Sequence, residues 1–243
     1  MKRIVKILIL TVLYAFYKAV SLVYREKGKV VLMYHSVMEK RGSLVVPMKD
    51  FEKQLQCLKN NYQKKFLITF DDGYRDFKEN AWPLLKKYQI PAVLFVHTSR
   101  SSHNLGNNWA LLDWQEILEL KKQGLEIGNH SHQHLDMKKL SLEELKKEMI
   151  LSEEIFRQEL GQVPKIFAYP GGKYNSQIME FLNQRGYQKA FTIDEGMFRP
   201  KDDPFKVKRI GVGENTSMFE FKIRLTPAFE WYQNLRKLFR FKK

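Results

Sequence analysis

The chain has 243 residues, 44% of them hydrophobic, with a single cysteine and a formal net charge of +15. That length fits one large domain, the lone Cys57 excludes an intramolecular disulfide framework, and no repeat at a solenoid period is present. The basic excess suits an anionic partner, yet helix-turn-helix spacing, zinc-finger cysteines and RNA-binding aromatics are all absent, so nucleic acid is not an expected partner.

The first segment, residues 4–23, is predominantly apolar and follows Lys2 and Arg3. Its length matches the roughly 20 residues that span a bilayer. Lys6 and Lys18 lie near its ends, where long side chains reach headgroups, and Tyr14, Tyr17 and Tyr24 suit an interface. Three readings fit: an uncleaved anchor, a cleaved signal peptide, or a helix lying in the membrane interface. Ala15-Phe-Tyr and Ala19-Val-Ser make poor cleavage sites, which favours the anchor. Lys18, Arg25 and Lys27 leave its orientation open.

Beyond it the chain alternates. Strands are expected at 30–34, 66–70, 92–96, 125–128, 165–169, 189–192 and 208–212. Helices are expected from Asp50, read as an N-cap, to about residue 60; over 76–88, with Pro83 in the first turn or at a kink; and over 113–122. Ser141-Leu-Glu-Glu144 is a capping box that opens a helix to about Leu160, and further helices follow at 176–185 and near Ser217. A polar loop covers 97–108. Cys57 falls at a core position of the second helix, and Trp114 reads as core. Six or seven βα units imply a parallel sheet, and polar residues gather where its strands end, which fits a barrel better than an open sheet. The tail from Phe229 to Lys243 mixes aromatics with basic residues and places Trp231, Leu235 and Leu238 on one helical face. It suits either a membrane interface or a helix closing the domain.

Two motifs carry the chemistry. Thr69-Phe-Asp-Asp-Gly73 ends a buried strand with two adjacent carboxylates, an arrangement that is costly without a cation or a function to hold it. Asn129-His-Ser-His-Gln-His134 follows another strand and brings imidazoles together. One carboxylate with His130 and His134 makes a divalent-metal site with open positions, and the second carboxylate is left to act on a water. Spacing of i to i+4 predicts the two histidines on one face of a helical turn. His132 would point away from them.

Together these motifs resemble those of the polysaccharide deacetylases, carbohydrate esterase family 4 with its NodB-homology domain, over about residues 29–215. The resemblance implies an α/β fold, a distorted (β/α)7 barrel, here preceded by an N-terminal hydrophobic helix. It divides the chain into an anchor or signal segment at 1–24, the deacetylase domain at 25–226 and a basic aromatic tail at 227–243. It implies a hydrolase that removes acetyl groups from N-acetylated sugars with metal-activated water, the metal being Zn2+ with Co2+ or Ni2+ as alternatives. By the family pattern Asp71 is the base, Asp72, His130 and His134 are the ligands, and Ser131 braces their loop.

The usual acid histidine of a C-terminal motif is missing, since all six histidines lie at or before position 134. Leu32-Met-Tyr-His-Ser36 resembles the segment that carries the acid in deacetylases of biofilm poly-β-1,6-N-acetylglucosamine, which makes His35 the acid here. Phe167-Ala-Tyr-Pro-Gly-Gly172 matches the Arg-x-Pro-Tyr motif with Ala168 at the arginine position, so the usual clamp on the base is expected to be absent. Tyr169 and Pro170 would wall the acetyl pocket, and the Gly171 N–H would face the oxyanion. An N-acetylated glycan is the implied partner, with the membrane as a second through the N-terminal segment and the tail. The implied location is the cell membrane with the catalytic domain outside the cytoplasm; secretion, or attachment at the cytoplasmic face, are the alternatives. The rival reading is a catalytically inactive, membrane-associated glycan-binding protein that keeps the metal.

Overall fold

The computed structural model describes residues 2–21, 28–40, 42–61, 66–99 and 109–240. Its centre is a seven-stranded parallel sheet in the order β8-β7-β6-β5-β4-β1-β9. The strands are β1 (Val30–Tyr34), β4 (Phe66–Phe70), β5 (Ala92–Val96), β6 (Glu126–Asn129), β7 (Ile166–Ala168), β8 (Lys189–Phe191) and β9 (Ile210–Gly211). Each central strand is a short run of apolar residues buried on both faces, as parallel strands flanked by helices require. A small pair, β2 (Ser36–Val37) and β3 (Val45–Val46), follows β1.

The sheet curls. Its two edge strands do not form a ladder with each other, but the segment leading into β9 joins them. The Val207 N–H donates to Ala190 O at 2.9 Å, Thr192 N–H donates to Val207 O at 2.9 Å, and Arg209 N–H donates to Asp194 O at 3.0 Å. The expected barrel is therefore a curled sheet bridged by one short segment, because β9 is only two residues long and pairs with β1 alone. Val31, Val93, Phe95, Ala168, Phe191 and Val207 fill the inside of the curl. Gly128 makes room there: a Cβ on it would fall 2.3 Å from the Phe95 ring.

The helices are α1 (Lys2–Val20), α2 (Met48–Asn61), a π-helix (Phe77–Ala81) running into α3 (Trp82–Tyr88), α4 (Trp114–Lys122), α5 (Leu142–Leu160), α6 (Ser176–Gln184), α7 (Met218–Arg224) and α8 (Pro227–Arg240). Ser141 and Asp113 both close capping boxes, and Pro83 sits in the first turn of α3. Asp50 lies in the first turn of α2 and does not cap it. Cys57 is buried, and Trp114 packs edge-on against Phe156 at 5.6 Å.

Among the described residues no helix is long and apolar enough to cross a membrane. Of the expected anchor over 4–23, residues 4–20 fall within α1, and residues 22 and 23 lie outside the described residues. Lys6 lies inside α1 and pairs with Glu220 of α7, while Phe16 and Tyr17 contact Trp231 of α8 at 5.9 and 6.2 Å. Leu10 of α1 is buried against the body, as are Ala228, Phe229 and Tyr232 of α8. The tail thus begins as a closing helix. Tyr24, Arg25 and Lys27, most of the polar loop and the last three residues lie outside the described residues.

Candidate active site

The two carboxylates of the Asp-Asp-Gly motif part company within one residue. The Asp71 N–H still belongs to the sheet, donating to Tyr34 O at 3.0 Å. Asp72 then takes a positive φ of 73°, and Gly73 N–H donates back to Asp71 O at 3.0 Å. A bond from i+2 to i around a residue of positive φ is the rare, strained form of γ-turn, at an expense of order 1–3 kcal/mol that the surroundings must offset. Gly73 continues the left-handed path with φ 75°, which a glycine accepts without steric strain. The turn sends Asp71 and Asp72 to different neighbours.

Asp71 meets an arginine. The Arg209 guanidinium donates from Nη1 to Oδ1 at 2.7 Å and from Nη2 to Oδ2 at 2.8 Å. Its remaining donors reach Thr69 Oγ1 at 3.2 Å and Thr192 O at 2.8 Å, and the group lies over the Phe95 ring at 5.7 Å. Both side chains are buried. Burial alone would raise the pKa of Asp71, but the Arg209 and His130 charges beside it outweigh burial and hold it below the usual carboxylate range. The clamp expected to be missing at Ala168 is therefore supplied by Arg209, the residue just before β9. An arginine inside the short apolar run before β9 was the available signal, because a buried guanidinium needs an acid.

Asp72 meets the histidines. Its Oδ1 lies 3.4 Å from His130 Nε2 and 3.5 Å from His134 Nε2. The Oδ1 is buried and has no hydrogen-bond partner. These separations are long for hydrogen bonds. They suit a shared cation, since two ligand atoms ~2.1 Å from an ion at tetrahedral angles lie about 3.4 Å apart. Asp72, His130 and His134 form the one group of potential ligands found among the described residues, all within 4.8 Å of one another. A carboxylate with two imidazoles is a donor set suited to zinc.

The histidines reach this point from a loop, not from a helical turn. The loop leaves β6 with positive φ at Ser131 (68°) and His134 (59°), so the i to i+4 spacing works through two left-handed residues. His130 Nδ1–H donates to Ala168 O at 2.7 Å, which turns Nε2 toward Asp72. His134 N–H donates to Ser131 Oγ at 3.1 Å, so Ser131 does brace the loop. Glu148 of α5 accepts from the N–H groups of His132 and Gln133 at 3.0 and 2.6 Å, and Asn129 Oδ1 accepts from Ser131 N–H at 2.7 Å. His132 turns to Thr98, Nδ1 to Oγ1 at 2.9 Å. Burial and the neighbouring His130 push His134 down to about 4, which leaves its ring neutral and able to ligate at neutral pH.

His35 follows β1 directly and is partly open to solvent. The Tyr34 carbonyl just before it accepts from the Asp71 N–H at 3.0 Å, which sets the His35 backbone beside the Asp-Asp motif. Gly171 is exposed, with φ 55°. Pro170 is buried, and so is Tyr169, whose hydroxyl donates to Phe205 O at 3.0 Å while its ring stacks on Tyr174. The Tyr169 side chain is buried, and its one polar atom is already bonded to a backbone carbonyl.

Comparison with known proteins agrees with this geometry. The family model described as polysaccharide deacetylase matches residues 59–190. YxkH of Bacillus subtilis (strain 168) is 30% identical over 207 residues, 77% of this chain and 72% of that protein. The chain belongs to the polysaccharide deacetylase family. The poly-beta-1,6-N-acetyl-D-glucosamine N-deacetylase of Staphylococcus aureus (strain MRSA252) is 25% identical, with 86% of each chain covered. Among solved structures, the Streptococcus pyogenes deacetylase PplD in complex with acetate matches with a TM-score of 0.73 at 25% identity, over 82% of this chain and 99% of that one. IcaB from Ammonifex degensii shares the fold, with a TM-score of 0.71 at 23% identity over 83% of this chain and 99% of that one. This deacetylase therefore carries the family's curled α/β sheet.

Two predictions follow from the split carboxylates. Alanine at Asp72, His130 or His134 should each lose most bound zinc by elemental analysis, whereas Asp71→Asn should keep it. Zinc at full occupancy in His134→Ala would refute the ligand set. Arg209→Met should lower stability to urea by about 3–5 kcal/mol at pH 7, the usual effect of leaving one member of a buried pair alone. The sign is set by the depressed pKa of Asp71. The ion pair's contribution is present above the unfolded carboxylate value of about 4 and is lost as pH falls through the lower folded value. An unchanged midpoint in Arg209→Met at pH 7 would contradict the pairing.

Proposed function

We propose that this deacetylase removes acetyl groups from the N-acetylglucosamine units of a polysaccharide, with Asp71 as base and His35 as acid. The observation that carries the reading is the separation of Asp71 from Asp72: one carboxylate is held ionised by Arg209, the other faces two imidazoles with an oxygen that lacks a hydrogen-bond partner. A divalent cation held by Asp72, His130 and His134, zinc in the first instance with cobalt or nickel as alternatives, supplies polarisation of the acetyl carbonyl and lowers the pKa of a water. Asp71 stays charged because of Arg209 and keeps lone pairs beyond the two that the guanidinium occupies. It is a weak base, so it can serve only a water that has already been made acidic. In the reaction Asp71 accepts the water proton, the water oxygen bonds to the acetyl carbon, the C–N bond breaks and His35 delivers a proton to the departing nitrogen. The products are acetate and a free amine. The exposed Gly171 N–H is the candidate donor to the developing oxyanion. With Arg209 on the base, the inactive glycan-binding reading loses the argument drawn from Ala168.

His35→Ala tests the acid. It should keep zinc and lower turnover of N-acetylglucosamine oligomers by roughly 10²-fold or more, the scale of a positioned acid. Hydrolysis of an activated aryl ester, whose leaving group needs no proton, should fall far less. Wild-type release of free amines by His35→Ala would overturn this reading.

The outer face of α1 supports a place of action at a membrane. Ile4, Leu8, Val12 and Phe16 recur every four residues and are exposed, Val12 by 68%, and Leu238 of α8 is 65% exposed. So many bare apolar side chains on a body of net charge +15 suit an anionic bilayer, with the helices lying in its interface rather than across it. On this reading the chain works at the cell membrane, with the catalytic domain outside the cytoplasm. Full-length protein should sediment with vesicles containing phosphatidylglycerol, and Leu8→Asp with Val12→Asp should abolish this. Equal sedimentation of the double variant, or self-association that accounts for the stripe in light scattering, would defeat the proposal.

A further inference from the structure

The segment that carries the base also holds the acid in place. His35 lies between two fixed points of backbone. On one side the Tyr34 carbonyl accepts from the Asp71 N–H at 3.0 Å. On the other, Val37 is gripped at both of its polar groups by side chains: its N–H donates to Asp76 Oδ2 at 2.6 Å, and its carbonyl accepts from Asn80 Nδ2 at 2.7 Å. Asp71, Asp76 and Asn80 all belong to one stretch of ten residues, whose last four lie in the π-helix.

A π-helix is rare and concentrates at functional sites. Here Asp76 precedes its first residue, and its side chain makes no capping bond to the helix; it turns to Val37 instead. Asp76 is buried, and burial raises its pKa to about 6. Val37 is buried as well, so neither of its backbone groups has water as a substitute partner. A buried carboxylate and a carboxamide are thus both committed to the backbone of the one residue two places after His35.

We infer that Asp76 and Asn80 are positioning residues that clamp Val37 and thereby set His35 against Asp71. The inference rests on His35 being the acid. The role is specific: an imidazole that must meet a departing nitrogen on the far side from Asp71 needs its backbone fixed relative to that carboxylate, and misplacement by an ångström lowers rate by ~10²-fold. Here the fixing elements leave from the same turn that separates Asp71 and Asp72.

The test compares amide with ester turnover in the zinc-loaded full chain. Asp76→Ala and Asn80→Asp should each lower kcat on N-acetylglucosamine oligomers by roughly 10-fold or more, with KM, zinc stoichiometry and activated-ester hydrolysis close to wild type. Asn80→Asp keeps the shape but turns a donor into an acceptor facing a carbonyl. Asp76→Asn keeps an acceptor oxygen and should restore most of the loss, which a mere packing role would not require. His35→Ala serves as the reference. If it shows the amide-specific loss while Asp76→Ala and Asn80→Asp turn over amide normally, the clamp is wrong and the acid reading stands. If amide and ester fall together in both clamp variants, the residues are structural only and the inference is overturned. If His35→Ala itself shows no difference between amide and ester, the acid reading fails and the clamp falls with it.

Discussion

Two carboxylates joined by one peptide bond repel each other and compete for the same cation, unless the backbone points them into separate surroundings. The γ-turn at Asp72 does this, and the buried ion pair between Asp71 and Arg209 keeps the separation in place. Without the guanidinium, burial would push the pKa of Asp71 up. Without the turn, both oxygens pairs would face the histidines. The strain at Asp72 is tolerable because the flanking residues are tied down: Asp71 by β1 and Gly73 by Leu112, whose N–H donates to Gly73 O at 3.0 Å.

The scaffold supports this arrangement from several directions at once. Gly128 admits the Phe95 ring, Phe95 carries the Arg209 guanidinium on its face, and Arg209 bridges the gap in the curled sheet while it holds the base. Ala168, at the end of β7, offers its carbonyl to His130. Glu148 and Asn129 fix the histidine loop, and Asp76 and Asn80 fix the segment after His35. Each reacting group is thus held by a buried polar contact from a different element, which is how a site at strand ends gains rigidity from elements far apart in sequence.

Much of this was legible in the chain. The apolar runs marked the strands of the main sheet within a few residues, and Ser141 and Asp113 marked helix starts, because those signals are local. Asp71, Asp72, His130 and His134 stood out as motifs of short span. What the sequence concealed was long-range or conformational. Arg209 lies 138 residues from Asp71, and the expected arginine position at Ala168 drew attention to the wrong strand. The left-handed residues Ser131 and His134 cannot be read from spacing, which is why a loop resembled a helical turn. The bond from the Tyr169 hydroxyl to Phe205, 36 residues on, is likewise out of reach of local signals. The first segment had the length of a membrane span, and its contacts with α7 and α8 could not be read from its composition.

The central claim is that the adjacent aspartates serve different partners. Crystals of the full chain soaked with zinc, with an anomalous difference map at the zinc edge, test it directly. The account predicts one ion in contact with Asp72, His130 and His134, while Asp71 remains bidentate on Arg209 and outside the ion's coordination shell. An ion bridging both aspartates, or an Arg209 released from Asp71, would contradict it.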